Sequence, residues 1–406
     1  MTISVNKTYI LDFSILLLVF LTSSFVVLND IISSSLTIGL WLIFLLLQFF
    51  QSKPTIHKKQ LIGFCVLTII MWISVIYNNE DVRNAIMLTF AFFSVFMFTQ
   101  NYTFDSFVKE YIKVMVLVAT FSLALYLVYL LIPSLNSVNL IANGSGNYYS
   151  NLFIYINSVT QKRNMGMFWE PGAFQTFLSL ALFFDIAGNT INIKRFLMLT
   201  ICLITTFSTT GYIALIFLIG FILIKRNVNN RKVKIPVIIT LFVLLILAFI
   251  NKESLFNTDN FSVFGKVISF FESGWYTTTG HLSSASVRYY SIVKPLSLFF
   301  QSPIVGYGYE GLQKLTFNYT YGMNTCTFIN WFAIYGIVFG VAMTTGYLGL
   351  CRCFTKDIIQ ILLSVTILFL VTMSENYVNN AFFIMLALYG FNYLCSESEY
   401  IESSSN

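Results

Sequence analysis

Charged side chains are scarce in this chain. Asp, Glu, Lys and Arg make up 10% of its 406 residues, against about 25% in a soluble protein. That excludes a soluble domain large enough to work alone. Histidine is scarcer still, with only His57 and His281. The two do not form a site with each other, and no Ser-His-Asp set, metal cluster or P-loop accompanies them. The six cysteines, Cys65, Cys202, Cys326, Cys351, Cys353 and Cys395, fall mostly inside or at the ends of apolar runs. They form no disulfide framework and, lacking His or acidic partners, no metal site; they read as inert thiols. The surplus of six positive charges does not make a basic binding face, so nucleic acid is not an expected partner.

What the chain has instead is apolar surface. Hydrophobic residues make up 57% of it and aromatics 17%, and its mean hydropathy is +0.78. This is the composition of a polytopic membrane protein. The first apolar run, Phe13 to Leu28, has no small-residue cleavage site after it and reads as a retained helix. A span needs about 20 apolar residues. That window fits runs near 10–28, 36–50, 60–77, 84–99, 110–132, 171–187, 195–209, 211–225, 235–250, 324–350, 355–373 and 378–395, or about twelve spans. The pair 195–209 and 211–225 needs Ser208-Thr209-Thr210-Gly211 as a tight turn between them.

Charge placement orients the chain. With the N-terminus in the cytoplasm, the inner loops hold Lys53, Lys58 and Lys59; Lys109 and Lys113; Lys194 and Arg195; Lys225 to Lys234; and Arg352 with Lys356. The short outer loops hold little beyond Arg83, balanced by Glu80 and Asp81. This follows the positive-inside rule and puts both termini in the cytoplasm. The expected architecture is an all-α polytopic membrane protein. Residues 1–132 form N-terminal helices, 133–250 central helices with a first outer segment, 251–323 a large extracytoplasmic loop, and 324–406 C-terminal helices and a tail. In the large loop, Phe261, Phe264, Ile268 and Phe271 have helical spacing, as does the run Val287 to Phe300, with Ser284 or Ser286 as its cap.

Within the spans charge is nearly absent; Asp12 and Asp185 lie near helix ends. An ion-coupled transporter would place acids or histidines near the midplane. The chemistry-bearing residues are therefore outside. The densest stretch is Arg163-Asn164-Met165-Gly166-Met167-Phe168-Trp169-Glu170-Pro171-Gly172. Pro171 suits the first helical position. A helix start with an arginine beside it suits a phosphate or diphosphate, because guanidinium binds phosphate oxygens in pairs; the alternative is that Arg163 pairs with Glu170 or reaches lipid headgroups. Glu170 opposes an anion by sign. It either orients Arg163 or serves as a general base. Arg288 is the second cationic candidate, in Arg288-Tyr289-Tyr290. Gly306-Tyr307-Gly308 follows, with glycines that permit close backbone approach. Tyr289, Tyr290, Tyr307 and Trp169 either stack on sugar rings or anchor at the lipid interface.

Four ordered patterns resemble the O-antigen polymerase and ligase family of bacterial membrane proteins (Wzy-type polymerases and their ligase relatives). They are Arg163 to Gly172, Phe207 to Tyr212, Arg288 with Pro303 to Gly308, and Asn324 to Gly336, and they cover roughly residues 150–350. Two features depart from the family. Ser208-Thr209-Thr210-Gly211 lacks the arginine many relatives carry, and Thr325 stands where ligase-type members place a histidine. The resemblance implies a GT-C-like, inverting, metal-independent glycosyltransferase without a cofactor, in the bacterial cytoplasmic membrane. Its substrate would be a polyprenyl-diphosphate-linked glycan amid membrane lipid, polymerised into O-antigen or capsule, with a chain-length regulator protein as a partner. It implies Arg163 and Arg288 as the diphosphate-binding groups. A ligase of the same family and a lipid-linked oligosaccharide flippase stand as alternatives.

Overall fold

A computed structural model describes residues 7–25, 34–51, 56–142, 147–159, 163–188, 191–225 and 284–404. The apolar run 235–250, the helical pattern from Phe261 to Phe271 and His281 lie outside the described residues. Thirteen α-helices account for most of the described chain: α1 Lys7–Thr22, α2 Ser34–Gln51, α3 Lys58–Tyr77, α4 Val82–Asn101, α5 Phe104–Leu131, α6 Pro171–Ala187, α7 Ile193–Thr205, α8 Thr209–Lys225, α9 Ser284–Gln301, α10 Tyr309–Thr320, α11 Thr327–Phe354, α12 Ile358–Thr372 and α13 Ala381–Ser404. Four of them, α3, α4, α5 and α11, are long and apolar enough to cross a membrane, at 20, 20, 28 and 28 residues. Six shorter apolar helices join them. The fold is that of an α-helical membrane protein.

Helix α6 is its centre. Every residue from Pro171 to Ala187 is buried, and the helix packs against α5, α7, α8 and α12. A helix buried on every side and mostly apolar, as this one is, belongs inside a bundle. Phe177 is hemmed in by Phe168, Tyr377, Phe382 and Phe383. The closest pairing joins α11 to α13, where Gly346 and Gly349 face Ala387 and Gly390. Small residues let two backbones approach when lipid offers no hydrophobic drive between helices.

The pair 195–209 and 211–225 does form two helices, but the turn comes earlier than Ser208 to Gly211. Thr206 and Phe207 make it, with Phe207 at φ +47°, and Thr209 already starts α8. The run beginning at Val287 likewise starts earlier, since Ser284 and Ser286 are both within α9.

Two features depart from the expected plain bundle. Between α5 and α6 lies an antiparallel sheet of β1 Leu140–Ala142, β2 Tyr148–Leu152 and β3 Tyr155–Ser158. Its short strands are rich in Tyr and Ile, which favour pleated backbone. The other is a break in α11 at Gly336, where φ is +84° and ψ −178°, a region essentially reserved for glycine. The loop after α9 fills the break. Tyr307 and Gly308 donate their N–H groups to Ala333 O and Ile334 O at 2.9 and 3.1 Å, and Ile337 N–H bonds Pro303 O at 2.7 Å. Ser74 on α3 donates to Ile334 O at 2.8 Å. Backbone groups freed by a helix break must find such partners inside an apolar bundle.

Candidate functional site

The sheet carries the arginine stretch to the bundle. Ile156 N–H bonds Gly166 O at 2.8 Å, and Asn157 bridges Asn164. Asn164 is the staple. Its backbone N–H bonds Thr205 O at 3.0 Å, and its Nδ2 donates to Thr205 Oγ1 at 2.9 Å. Its Oδ1 accepts from Ser122 on α5 at 2.5 Å and from Gly166 N–H at 3.2 Å. Gly166, at φ +57°, turns the chain against the ring of Phe174. Three elements thus fix Arg163 and the start of α6 relative to each other.

Arg163 spends one donor on this frame. Its Nε donates to Thr206 O at 2.9 Å, at the C-terminal end of α7. A guanidinium suits a helix C-terminus, where carbonyls are unpaired and the dipole is negative. Burial pulls the Arg163 pKa below its usual value, and the nearby charge of Arg288 acts in the same direction, while Glu170 opposes both. The guanidinium still stays charged. Arg288 approaches from α9, and its Nη1 is buried with no hydrogen-bond partner among the described residues. The two arginines, 125 positions apart in the chain, are electrostatic neighbours.

Glu170 caps the start of α6 and lies over it without a capping hydrogen bond. Across from it is Glu375, from the α12–α13 loop. The two carboxylates are close enough to share a hydrogen bond, and Trp169 also bonds Glu375. A methyl group placed on Gly172 would sit 2.6 Å from Glu170 Oε1 and 3.0 Å from Glu375 Oε1, so both oxygens converge on one spot. Burial raises the pKa of Glu375 well above the carboxylate range; the charge of Glu170 adds to this and Arg288 works against it. Two carboxylates this close disfavour both being charged at once. The expected residues Arg163, Glu170 and Arg288 therefore come together, joined by a fourth, Glu375. Sequence reading missed Glu375 because Ser374-Glu375-Asn376 carries no spacing signal; its one hint was an acid in a short connection between apolar runs.

Trp169 and Glu375 also line a cavity of about 720 Å³. Glu80 stands in its wall, with its Oε1 accepting from Glu310 N–H at 2.7 Å at the start of α10. Thr325, Asn376 and Asn379 line it as well. The other expected residues lie apart from this lining. Gly306 and Gly308 make their close approach to the α11 break and to Glu80. Tyr307 bonds Gln301 at 3.3 Å. Tyr290 packs between Tyr289 and Tyr319, whose ring carries Lys294 Nζ at 3.8 Å. Among the described residues, no group of three or more His, Cys, Asp and Glu side chains could hold a metal ion. All six cysteines are free.

No family model, no curated protein and no solved structure matches this chain.

Proposed function

We propose that this protein is a polysaccharide repeat-unit polymerase, acting on polyprenyl-diphosphate-linked glycans at the outer face of a bacterial cytoplasmic membrane. The observation that carries the reading is the meeting of Arg163 and Arg288 beside a carboxylate pair at the start of α6. In this reading about twelve spans cross the membrane with both termini inside. The site then lies at the outer end, where the sugar donor is lipid-linked and no nucleotide is needed.

The two guanidinium groups hold the donor diphosphate and stabilise the charge it gains on leaving. The acceptor hydroxyl oxygen bonds to the anomeric carbon as the bond from that carbon to the diphosphate oxygen breaks. The hydroxyl proton passes to the Glu170–Glu375 pair, which already holds one proton and accepts a second. Attack opposite the leaving group inverts the anomeric centre. Thr325 in place of a histidine favours polymerase over ligase, because the carboxylate pair then supplies the base.

Arg163→Ala and Arg288→Ala, each in the full chain, test the reading. A surface-polysaccharide gel should lose its ladder and keep single repeat units, since loss of preorganised charge costs about 100- to 1000-fold in rate. A normal ladder in both variants overturns it. Long chains stranded on carrier lipid would instead identify a ligase, and movement of lipid-linked sugar across liposomes without elongation would identify a flippase.

A further inference from the structure

The cavity beside the carboxylate pair has a chemistry of its own. Glu80 and Glu375 stand in its wall; Glu80 accepts from Glu310 N–H at the start of α10, and Glu375 lies against Glu170 with the charge of Arg288 nearby. The neighbouring acids differ: Asp81 pairs with Arg83 at 3.1 Å and Glu310 with Lys314 at 3.6 Å. No Lys, Arg or His belongs to the lining among the described residues. Two side-chain amides face the same space. Asn379 uses its Oδ1 on Tyr335 at 2.6 Å and Asn376 uses its Oδ1 on Val378 N–H at 3.2 Å, so among the described residues both keep their N–H donors for a ligand. Thr325 Oγ1 is buried with no hydrogen-bond partner among the described residues. Trp169 supplies a ring.

Free amide donors, carboxylate acceptors, an unspent hydroxyl and an aromatic face match a polyhydroxy ring, whose hydroxyls both donate and accept. At about 720 Å³ the cavity is in the range of small-molecule sites, about 300–1000 Å³, with room for a disaccharide. Its sign is the discriminating property. A carboxylated or phosphorylated sugar would meet the Glu80 carboxylate in a half-buried space with no cation in the described lining, whereas an amine would gain Glu80 as a partner.

We propose that this cavity is the acceptor subsite, and that it takes a neutral or amine-bearing saccharide and rejects an anionic one. The assignment of the ligand as an acceptor rests on the polymerase reading; the charge preference rests on the cavity alone. The acceptor's non-reducing side would then face Trp169 and Glu375, with its attacking hydroxyl beside the carboxylate pair.

The test is binding by the purified full-length protein in detergent at low salt. The probes are three disaccharides of matched size: glucosamine dimer, cellobiose and digalacturonate. The glucosamine dimer should bind roughly tenfold tighter than cellobiose, and digalacturonate at least tenfold weaker than cellobiose. Glu80→Gln keeps an acceptor for Glu310 N–H and should shrink the amine preference to about threefold or less. Digalacturonate binding as well as the glucosamine dimer, no saccharide binding, or an unchanged preference in E80Q would overturn the proposal. Farnesyl diphosphate binding is measured in parallel. If it is lost in Arg163→Ala while the saccharide order is wrong, only the subsite proposal falls. If the saccharide order is right but Arg163→Ala leaves diphosphate binding unchanged, the polymerase reading falls and the charge preference stands.

Discussion

Gly172→Ala separates the chemistry of the site from the stability of the fold. The added methyl would stand 2.6 Å from Glu170 Oε1 and 3.0 Å from Glu375 Oε1. Ordinary contact begins near 3.4 Å, so the oxygens must retreat by roughly 0.8 and 0.4 Å. Both are ends of flexible side chains, so the retreat costs little. Alanine in place of glycine in a helix contributes up to about 1 kcal/mol in the favourable direction, and Gly172 has no left-handed φ to strain. The melting temperature should therefore hold or rise slightly. Catalysis is less forgiving, because a displacement of about 1 Å at reacting groups costs on the order of 100-fold. With purified full-length protein and a lipid-diphosphate-linked repeat unit, the elongation rate should fall roughly 10- to 100-fold. Diphosphate binding should not change, because the arginines do not move. A folded variant with normal turnover would refute the claim that these two carboxylates share the reacting space.

Glu375→Gln tests the proton. The Glu375 pKa is raised from 4.5, so as pH climbs past that value the unfolded chain releases a proton the folded chain keeps, and stability falls up to the folded pKa. The variant should melt at the same temperature as the wild type near pH 4 and higher at pH 7–8, read by thermal unfolding in detergent across pH; equal melting at pH 8 would count against the buried, protonated carboxyl. Gly336→Ala should destabilise strongly, by about 1–3 kcal/mol for the backbone conformation alone, with a further clash against the carbonyl of Ile304. Poor yield of folded protein would bear this out, and a normal melting temperature would contradict the interlock at the α11 break.

The helices were legible because their cause is local. An apolar run of span length declares itself one residue at a time, and Pro171 to Ala187 is bounded in the sequence as it is in the fold. Arg163, Glu170 and Arg288 stood out for a related reason, as charges in a chain that has few. The break at Gly336 was not legible, because no single residue dictates it. It exists because Pro303, Tyr307 and Gly308 supply the hydrogen bonds that an unbroken helix would have made internally. For the same reason Gly306 and Gly308 looked like ligand-facing glycines: the sequence shows that backbone comes close to something, but not that the something is Ala333 and Ile334 for Gly306 and Glu80 for Gly308. Glu375 was invisible because its meaning comes entirely from a partner 205 positions away.

That partner also changes what Glu170 means. A lone carboxylate at the start of α6 would cancel one arginine, and a second one would cancel the other, leaving a diphosphate nothing to bind. The proximity that makes two carboxylates look worse is what removes the objection. Held against each other in a half-buried space, two carboxylates disfavour carrying two negative charges, and the shift of Glu375 upward is in that direction. With one proton on the pair, two guanidinium charges face a single carboxylate charge, and the cluster stays positive by one. In the proposed polymerase a bound diphosphate would meet a net cation, with the carboxylate pair beside it as a proton acceptor. The same proton explains the division of labour between the two halves of the site. The arginine side remains cationic and suits the lipid diphosphate, while the cavity side, walled by Glu80 and the far face of Glu375, remains without a cation among its described residues and suits a sugar.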